Sequence, residues 1–149
     1  MNEGSGTHAV EGGLVLLVED NPADVFLVRE ALKLHELNVD LSVCDDGEKA
    51  VQWIRSHGPP SQAPVAVVLD LNLPRRSGAD VLEAIRSSAC LRDTPVIIFT
   101  SSNSQRDRDL QHRYPNTRYL RKSADFDEFM RIGELLKEAL GPDAGRADA

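Results

Sequence analysis

The sequence predicts an α/β fold in which a parallel sheet is covered by helices on both faces. Three observations lead there. Short, continuous apolar runs recur at residues 14–18, 65–69 and 96–99, as strands buried on both faces require. Stretches with helical apolar spacing separate them. One further strand-like stretch, residues 39–43, alternates apolar and polar residues instead, which marks a half-exposed strand at a sheet edge.

The elements follow in order. Residues 14–18 form the first strand. Asn21 and Pro22 come next, an N-cap with proline at the first helical position. Val25, Val28 and Leu32 then repeat at helical spacing within a first helix over residues 22–35. The alternating strand at 39–43 is second, and Asp46 is placed to cap a second helix carrying Ala50, Trp53 and Ile54. Gly58, Pro59, Pro60 and Ser61 break the chain into a loop. The strand at 65–69 leads into a loop over 74–78, after which Val81, Leu82 and Ile85 mark a third helix.

Thr94 and Pro95 open the strand at 96–99. A polar fourth helix over about 103–113 and a short strand at 118–120 follow. Asp125 with Glu128 three residues later has the pattern of a capping box, heading a fifth helix whose Phe129, Gly133, Leu136 and Leu140 share a face. The alternation of strand and helix calls for a doubly wound parallel sheet. Its alternating strand, the second, belongs at an edge. The order 2-1-3-4-5 satisfies this and sets strands 1 and 3 side by side at the topological switch point, where ligands bind beyond the carboxyl ends of the strands.

The 149 residues fit one domain, expected over 14–140, between a disordered leader (1–13) and a disordered tail (141–149). A hydrophobic fraction of 41% suffices for an ordinary core. The net charge of −7 argues against direct nucleic-acid binding, which needs clustered Lys and Arg. No apolar run reaches the roughly 18 residues of a membrane span, and the start lacks the basic and apolar regions of a signal peptide. Cys44 and Cys90 have no paired spacing and read as reduced thiols of a cytoplasmic protein. His8, His35, His57 and His112 have no metal-ligand spacing and receive no role.

The chemistry sits at the strand ends. Strand 1 ends in Glu19 and Asp20, strand 3 in Asp70, strand 4 in Thr100, Ser101 and Ser102, and strand 5 is followed by Lys122. Parallel strands present these ends on one rim. Three carboxylates in one crevice repel unless a hard divalent cation sits among them, and Mg²⁺ favours such oxygens. With a cation and an ammonium facing one aspartate, the crevice suits an incoming phosphoryl group attacked by that aspartate. Taken singly, each residue has a plainer use: a turn, an N-cap, a solvated lysine. Taken together on successive strand ends, they describe a site.

Over residues 14–140 the chain resembles the receiver domain of two-component response regulators, of the stand-alone type. The residues that carry the resemblance are Val18-Glu19-Asp20-Asn21, Leu69-Asp70-Leu71-Asn72-Leu73-Pro74 with Gly78, Phe99-Thr100-Ser101 and Tyr119-Leu120-Arg121-Lys122. Thr100 lies 30 residues after Asp70, Lys122 lies 22 after Thr100, and Gly78 lies 8 after Asp70. The resemblance implies a flavodoxin-like (βα)5 sandwich. It also implies that Asp70 is the phospho-acceptor, Asp20 a direct Mg²⁺ ligand and Glu19 a ligand acting mostly through water. The backbone carbonyl of Asn72 would supply another ligand. Thr100 would swing toward the phosphoryl group, Lys122 would be its counter-ion, and Tyr119 would move between outward and inward rotamers. Residues 58–64 and the surroundings of Glu19 and Asp70 look like those of single-domain regulators paired with bacterial phytochrome kinases.

The sequence departs from the family at one position. The lysine is usually followed by a proline through a cis bond, and here Ser123 follows Lys122. A cis bond before a non-proline residue costs about 2.5–4 kcal/mol, so the loop either bears that strain or runs trans. A phosphohydrolase of the haloacid dehalogenase type is disfavoured, since its general acid would stand where Asn72 does. A pseudo-receiver used only for contacts is disfavoured because Asp20, Asp70 and Lys122 are all present. The implied donor is a sensor histidine kinase, with a bacteriophytochrome as one candidate, or a phosphotransfer protein. With no output domain in view, the signal is expected to leave through protein contacts. Arg106, Arg108, Arg113, Arg118, Arg121 and Lys122, interrupted by Asp107 and Asp109, suggest a docking face on helix 4, strand 5 and helix 5, with a second copy of the chain as one candidate partner.

Overall fold

The structure is a computed structural model that describes residues 10–141. Five strands, β1 (Val10–Val18), β2 (Leu37–Cys44), β3 (Ala66–Leu69), β4 (Val96–Thr100) and β5 (Thr117–Arg121), form one sheet of order β2-β1-β3-β4-β5. Every pairing is parallel. The helices are α1 (Pro22–Leu34), α2 (Gly47–Ser56), α3 (Gly78–Ser87), α4 (Gln105–Arg108), α5 (Leu110–Arg113), α6 (Phe126–Phe129) and α7 (Arg131–Ala139). This is the flavodoxin-like order expected from the patterning. Among the described residues no helix is long and apolar enough to cross a membrane.

The strand period of two divides the core. Val15, Leu17, Val68, Ile97 and Phe99 face α1, α6 and α7, and Phe99 meets Phe129 edge-on at 4.8 Å. Leu16, Val18, Val67, Leu69, Val96 and Ile98 face α2, α3 and Leu110. Caps set the helix starts as the residue types suggest. Asn21 accepts from the Ala23 N–H at 2.9 Å, Asp46 from Lys49 at 2.7 Å and Ser77 from Asp80 at 3.2 Å.

Several expectations are corrected. β1 starts at Val10, so residues 10–13 of the expected leader belong to the sheet. A bulge absorbs the extra residue: Glu11 pairs with Asn38 and Leu14 with Asp40, and Gly13 takes φ +84°, a conformation open to glycine. Residues 1–9 and 142–149, and with them most of the leader and of the tail, lie outside the described residues. The fourth helix divides into α4 and α5 at Asp109. There the His112 N–H turns to the Asp109 carbonyl at 3.0 Å, tightening the turn. The fifth divides into α6 and α7 at Met130 in the same way, through Gly133 N–H to Met130 O at 3.0 Å.

The capping box is half made. Asp125 accepts from the Glu128 N–H at 3.0 Å, but its own N–H donates to Ser123 Oγ at 3.0 Å and not to Glu128. One strong tie had no sequence signal. The Arg86 guanidinium donates to the carbonyls of Arg92 (3.1 Å), Thr94 (2.7 Å) and Asn116 (2.8 Å) and to Thr117 Oγ1 (2.9 Å). It thereby pins α3 to the starts of β4 and β5.

Candidate functional site

The site is built on the last rungs of the sheet. The Glu19 N–H donates to the Cys44 carbonyl at 2.9 Å, Asp70 N–H to Val18 O at 3.0 Å, and Lys122 N–H to Thr100 O at 2.8 Å. Each of these residues therefore leaves the ladder where its strand ends, and its backbone is held by the neighbouring strand. Gly78 at the start of α3 presses on the same rim. A Cβ there would lie 2.5 Å from Leu71 Cα and 2.6 Å from the Asp70 carbonyl oxygen, so only glycine allows this approach.

Glu19, Asp20 and Asp70 offer carboxylate oxygens that all lie within 4.8 Å of one another. Glu19 and Asp70 are buried, and Asp20 is exposed. Oxygen donors of this kind, open to solvent on one side, fit a hard divalent cation that keeps part of its water shell. Asn72 follows on the loop, its N–H donating to Asp70 Oδ1 at 3.1 Å.

Lys122 closes the crevice from the β5 side. Its Nζ donates to Glu19 Oε1 at 2.7 Å, Asp24 Oδ2 at 2.7 Å and Asp70 Oδ2 at 2.9 Å. Burial alone would lower the lysine pKa, but the three carboxylate bonds outweigh it, and the ammonium is held above its ordinary value. Burial pushes Glu19 up to about 7, with the Asp70 charge adding to the rise and Lys122 opposing it. The Lys122–Ser123 bond is trans, so the strain a cis bond would bring is absent.

Thr100 is fully buried, and its Oγ1 accepts from the Ser102 N–H at 3.3 Å. Tyr119 is half-buried and packs beside the core on the α2, α3 side. Its hydroxyl donates to the Ser102 carbonyl. Thr100 and Tyr119 thus share one loop, which Ser102 Oγ ties to Asp107 Oδ2 at 2.6 Å. Each residue singled out from the sequence stands on this rim, except that Tyr119 joins it through Ser102. Asp24 was not singled out. An acid in the first turn of a helix ordinarily serves the helix, and nothing in its spacing points to Lys122.

Residues 15–133 match the response regulator receiver domain. The chain belongs to this family. Over 141 residues it is 35% identical to the probable methanogenesis regulatory protein FilR2 of Methanothrix harundinacea, covering 93% of this chain and 90% of that protein. It is 32% identical over 121 residues to the response regulator Rcp1 of Synechocystis, covering 80% and 82%. The crystal structure of Mn²⁺-bound Rcp1 superposes with a TM-score of 0.72 at 30% identity, over 84% of this chain and 91% of that one. The phosphorylated cyanobacterial phytochrome response regulator RcpA gives a TM-score of 0.72 at 32% identity, with the same coverage. The receiver-domain resemblance read from the strand-end residues is therefore borne out, and a phytochrome response regulator is among the structures the chain is similar to.

Proposed function

We propose that this receiver takes a phosphoryl group from the phosphohistidine of a sensor kinase onto Asp70, in a Mg²⁺-dependent reaction, and signals through protein contacts. The observation that carries this reading is the Lys122 ammonium 2.9 Å from Asp70 Oδ2, beside a group of three carboxylates within 4.8 Å of one another. Asp20, Asp70 and the Asn72 carbonyl would hold Mg²⁺, with Glu19 acting through water, and the ion supplies charge neutralisation at the phosphoryl oxygens. An Asp70 oxygen forms the new bond to phosphorus while the bond from phosphorus to the kinase imidazole breaks. The leaving nitrogen takes the electron pair and is protonated. Lys122 then follows the phosphoryl oxygens, Thr100 turns its hydroxyl toward them, and Tyr119 moves with the shared loop.

The chain promotes its own phosphorylation and dephosphorylation and acts on no other substrate. The likeness to a phytochrome response regulator favours a bacteriophytochrome as donor, with a phosphotransfer protein as the other route, and a cytoplasmic setting. The face made by α4, α5, β5, α6 and α7 carries exposed Arg106, Arg113, Arg118 and Arg121 and is proposed to dock a second copy of the chain. Charge reversal at Arg118 and Arg121 would then weaken self-association in sedimentation velocity. Direct nucleic-acid contact is not proposed.

Intact-mass spectrometry after incubation with acetyl phosphate tests the central reading. A Mg²⁺-dependent phosphate adduct that is lost in Asp70→Asn is expected. No adduct from the folded wild-type protein would reduce the chain to a contact module.

A further inference from the structure

A lysine side chain has four rotatable bonds, and fixing its ammonium at one point takes several acceptors or a stiff backbone. Ser123 and a trans bond supply no special stiffness after Lys122. The acceptors do the work here, and Asp24 Oδ2, at 2.7 Å, is closer to the ammonium than Asp70 is. Asp24 also differs in kind from the other two. Glu19 and Asp70 belong to the group of carboxylates able to hold a cation, and Asp24 stands outside it. Were a divalent cation held by Glu19 and Asp70, their oxygens would be shared with it, and Asp24 would be the acceptor left to the lysine alone.

Its place in the chain explains how Asp24 comes to be available. It is the third residue of α1, after the N-cap Asn21, the position from which an acid reaches back to the N-cap N–H. That N–H is already bonded to Glu19 Oε2 at 3.1 Å. Asp24 is therefore relieved of capping and turns across the rim to β5. The helix that carries it is anchored by buried Val28, Ala31 and Leu32, so its carboxylate is a fixed point.

We infer that Asp24 is a positioning residue that aims the Lys122 ammonium at Asp70 and keeps it there when a cation occupies the carboxylate group. This rests on the phospho-acceptor reading of Asp70. Asp24 touches neither the cation nor the phosphoryl group; it acts through Lys122.

The test is reductive methylation of the full chain, with and without Mg²⁺, read at Lys122 by peptide mass spectrometry. Lys122 should stay protected in the wild-type protein with Mg²⁺. In Asp24→Asn it should label about tenfold faster, the scale of one lost charge-assisted hydrogen bond. Asp24→Glu should restore protection, and Lys33 and Lys137 should label alike in all forms. Asp24→Ser gives the same reading independently should the asparagine variant fold poorly. In parallel, phosphorylation by acetyl phosphate should slow about tenfold in Asp24→Asn while the Mg²⁺ dissociation constant stays the same. Equal Lys122 labelling in wild type and both neutral variants would overturn the inference, as would unslowed phosphorylation. Wild-type protein that takes no phosphate would sink the phospho-acceptor reading, and labelling would still decide whether Asp24 holds the amine.

Discussion

Lys122 Nζ and Asp70 Oδ2 lie 2.9 Å apart although 52 residues separate them, with both side chains largely out of solvent. Replacing Lys122 by methionine leaves Asp70 and Glu19 as buried carboxylates without their cation. Breaking a buried pair from one side costs about 3–5 kcal/mol. Lys122→Met should lower the urea midpoint of the metal-free protein, and Mg²⁺ should recover more of the loss than it adds to the wild type. The phosphorylation rate should fall by about 10²-fold, the scale set by removing one donor from a reacting centre.

Glu19 carries a pH dependence of definite sign. Its carboxyl is raised from 4.5 to about 7 in the fold, by burial first and by Asp70 second. Between those values the folded state binds more protons than the unfolded chain, so stability falls as pH rises. The Glu19 contribution is fully present below about 4.5 and is lost as pH passes through about 7. Urea midpoints of the metal-free protein from pH 5 to 8, compared with Glu19→Gln, isolate it: the wild type should lose ground to the variant across this window. A proton on Glu19 also competes with a cation, so Mg²⁺ affinity should strengthen through the same range.

Gly78 sets how closely α3 approaches Asp70. A methyl group there would meet Leu71 Cα at 2.5 Å and the Asp70 carbonyl at 2.6 Å, and backbone has to move. Gly78→Ala should lose about 1–3 kcal/mol by overpacking. Mg²⁺-dependent phosphorylation should fall further than the stability loss accounts for, because the displaced segment carries Asp70 and the Asn72 carbonyl. Chemical denaturation and intact mass on the same sample separate the two effects.

Arg86 should be the costliest single charge to remove outside the rim. Its four bonds join α3 to residues 92, 94, 116 and 117. Arg86→Ala removes all four hydrogen bonds at once, each worth about 0.5–1.5 kcal/mol net. Thermal unfolding should show a clear loss, whereas acetyl phosphate labelling at a temperature where the variant is folded should be near wild type.

The sequence by itself determined the strand order and the rim. Apolar runs of strand length and one alternating strand are local patterns, and parallel pairing then forces Glu19, Asp20, Asp70, Thr100 and Lys122 to one end of the sheet. It also identified the caps Asn21 and Asp46, because a cap acts within three residues of itself. Tertiary structure alone decided the rest. Asp24 meets Lys122 across 98 residues, Arg86 ties together chain starts up to 31 residues away, and Glu128 leaves its capping box half made because Ser123 takes the Asp125 N–H. These contacts depend on how helices tilt against the sheet and which of several acceptors lies nearest. The spacing of residues along a single strand or helix does not encode such angles.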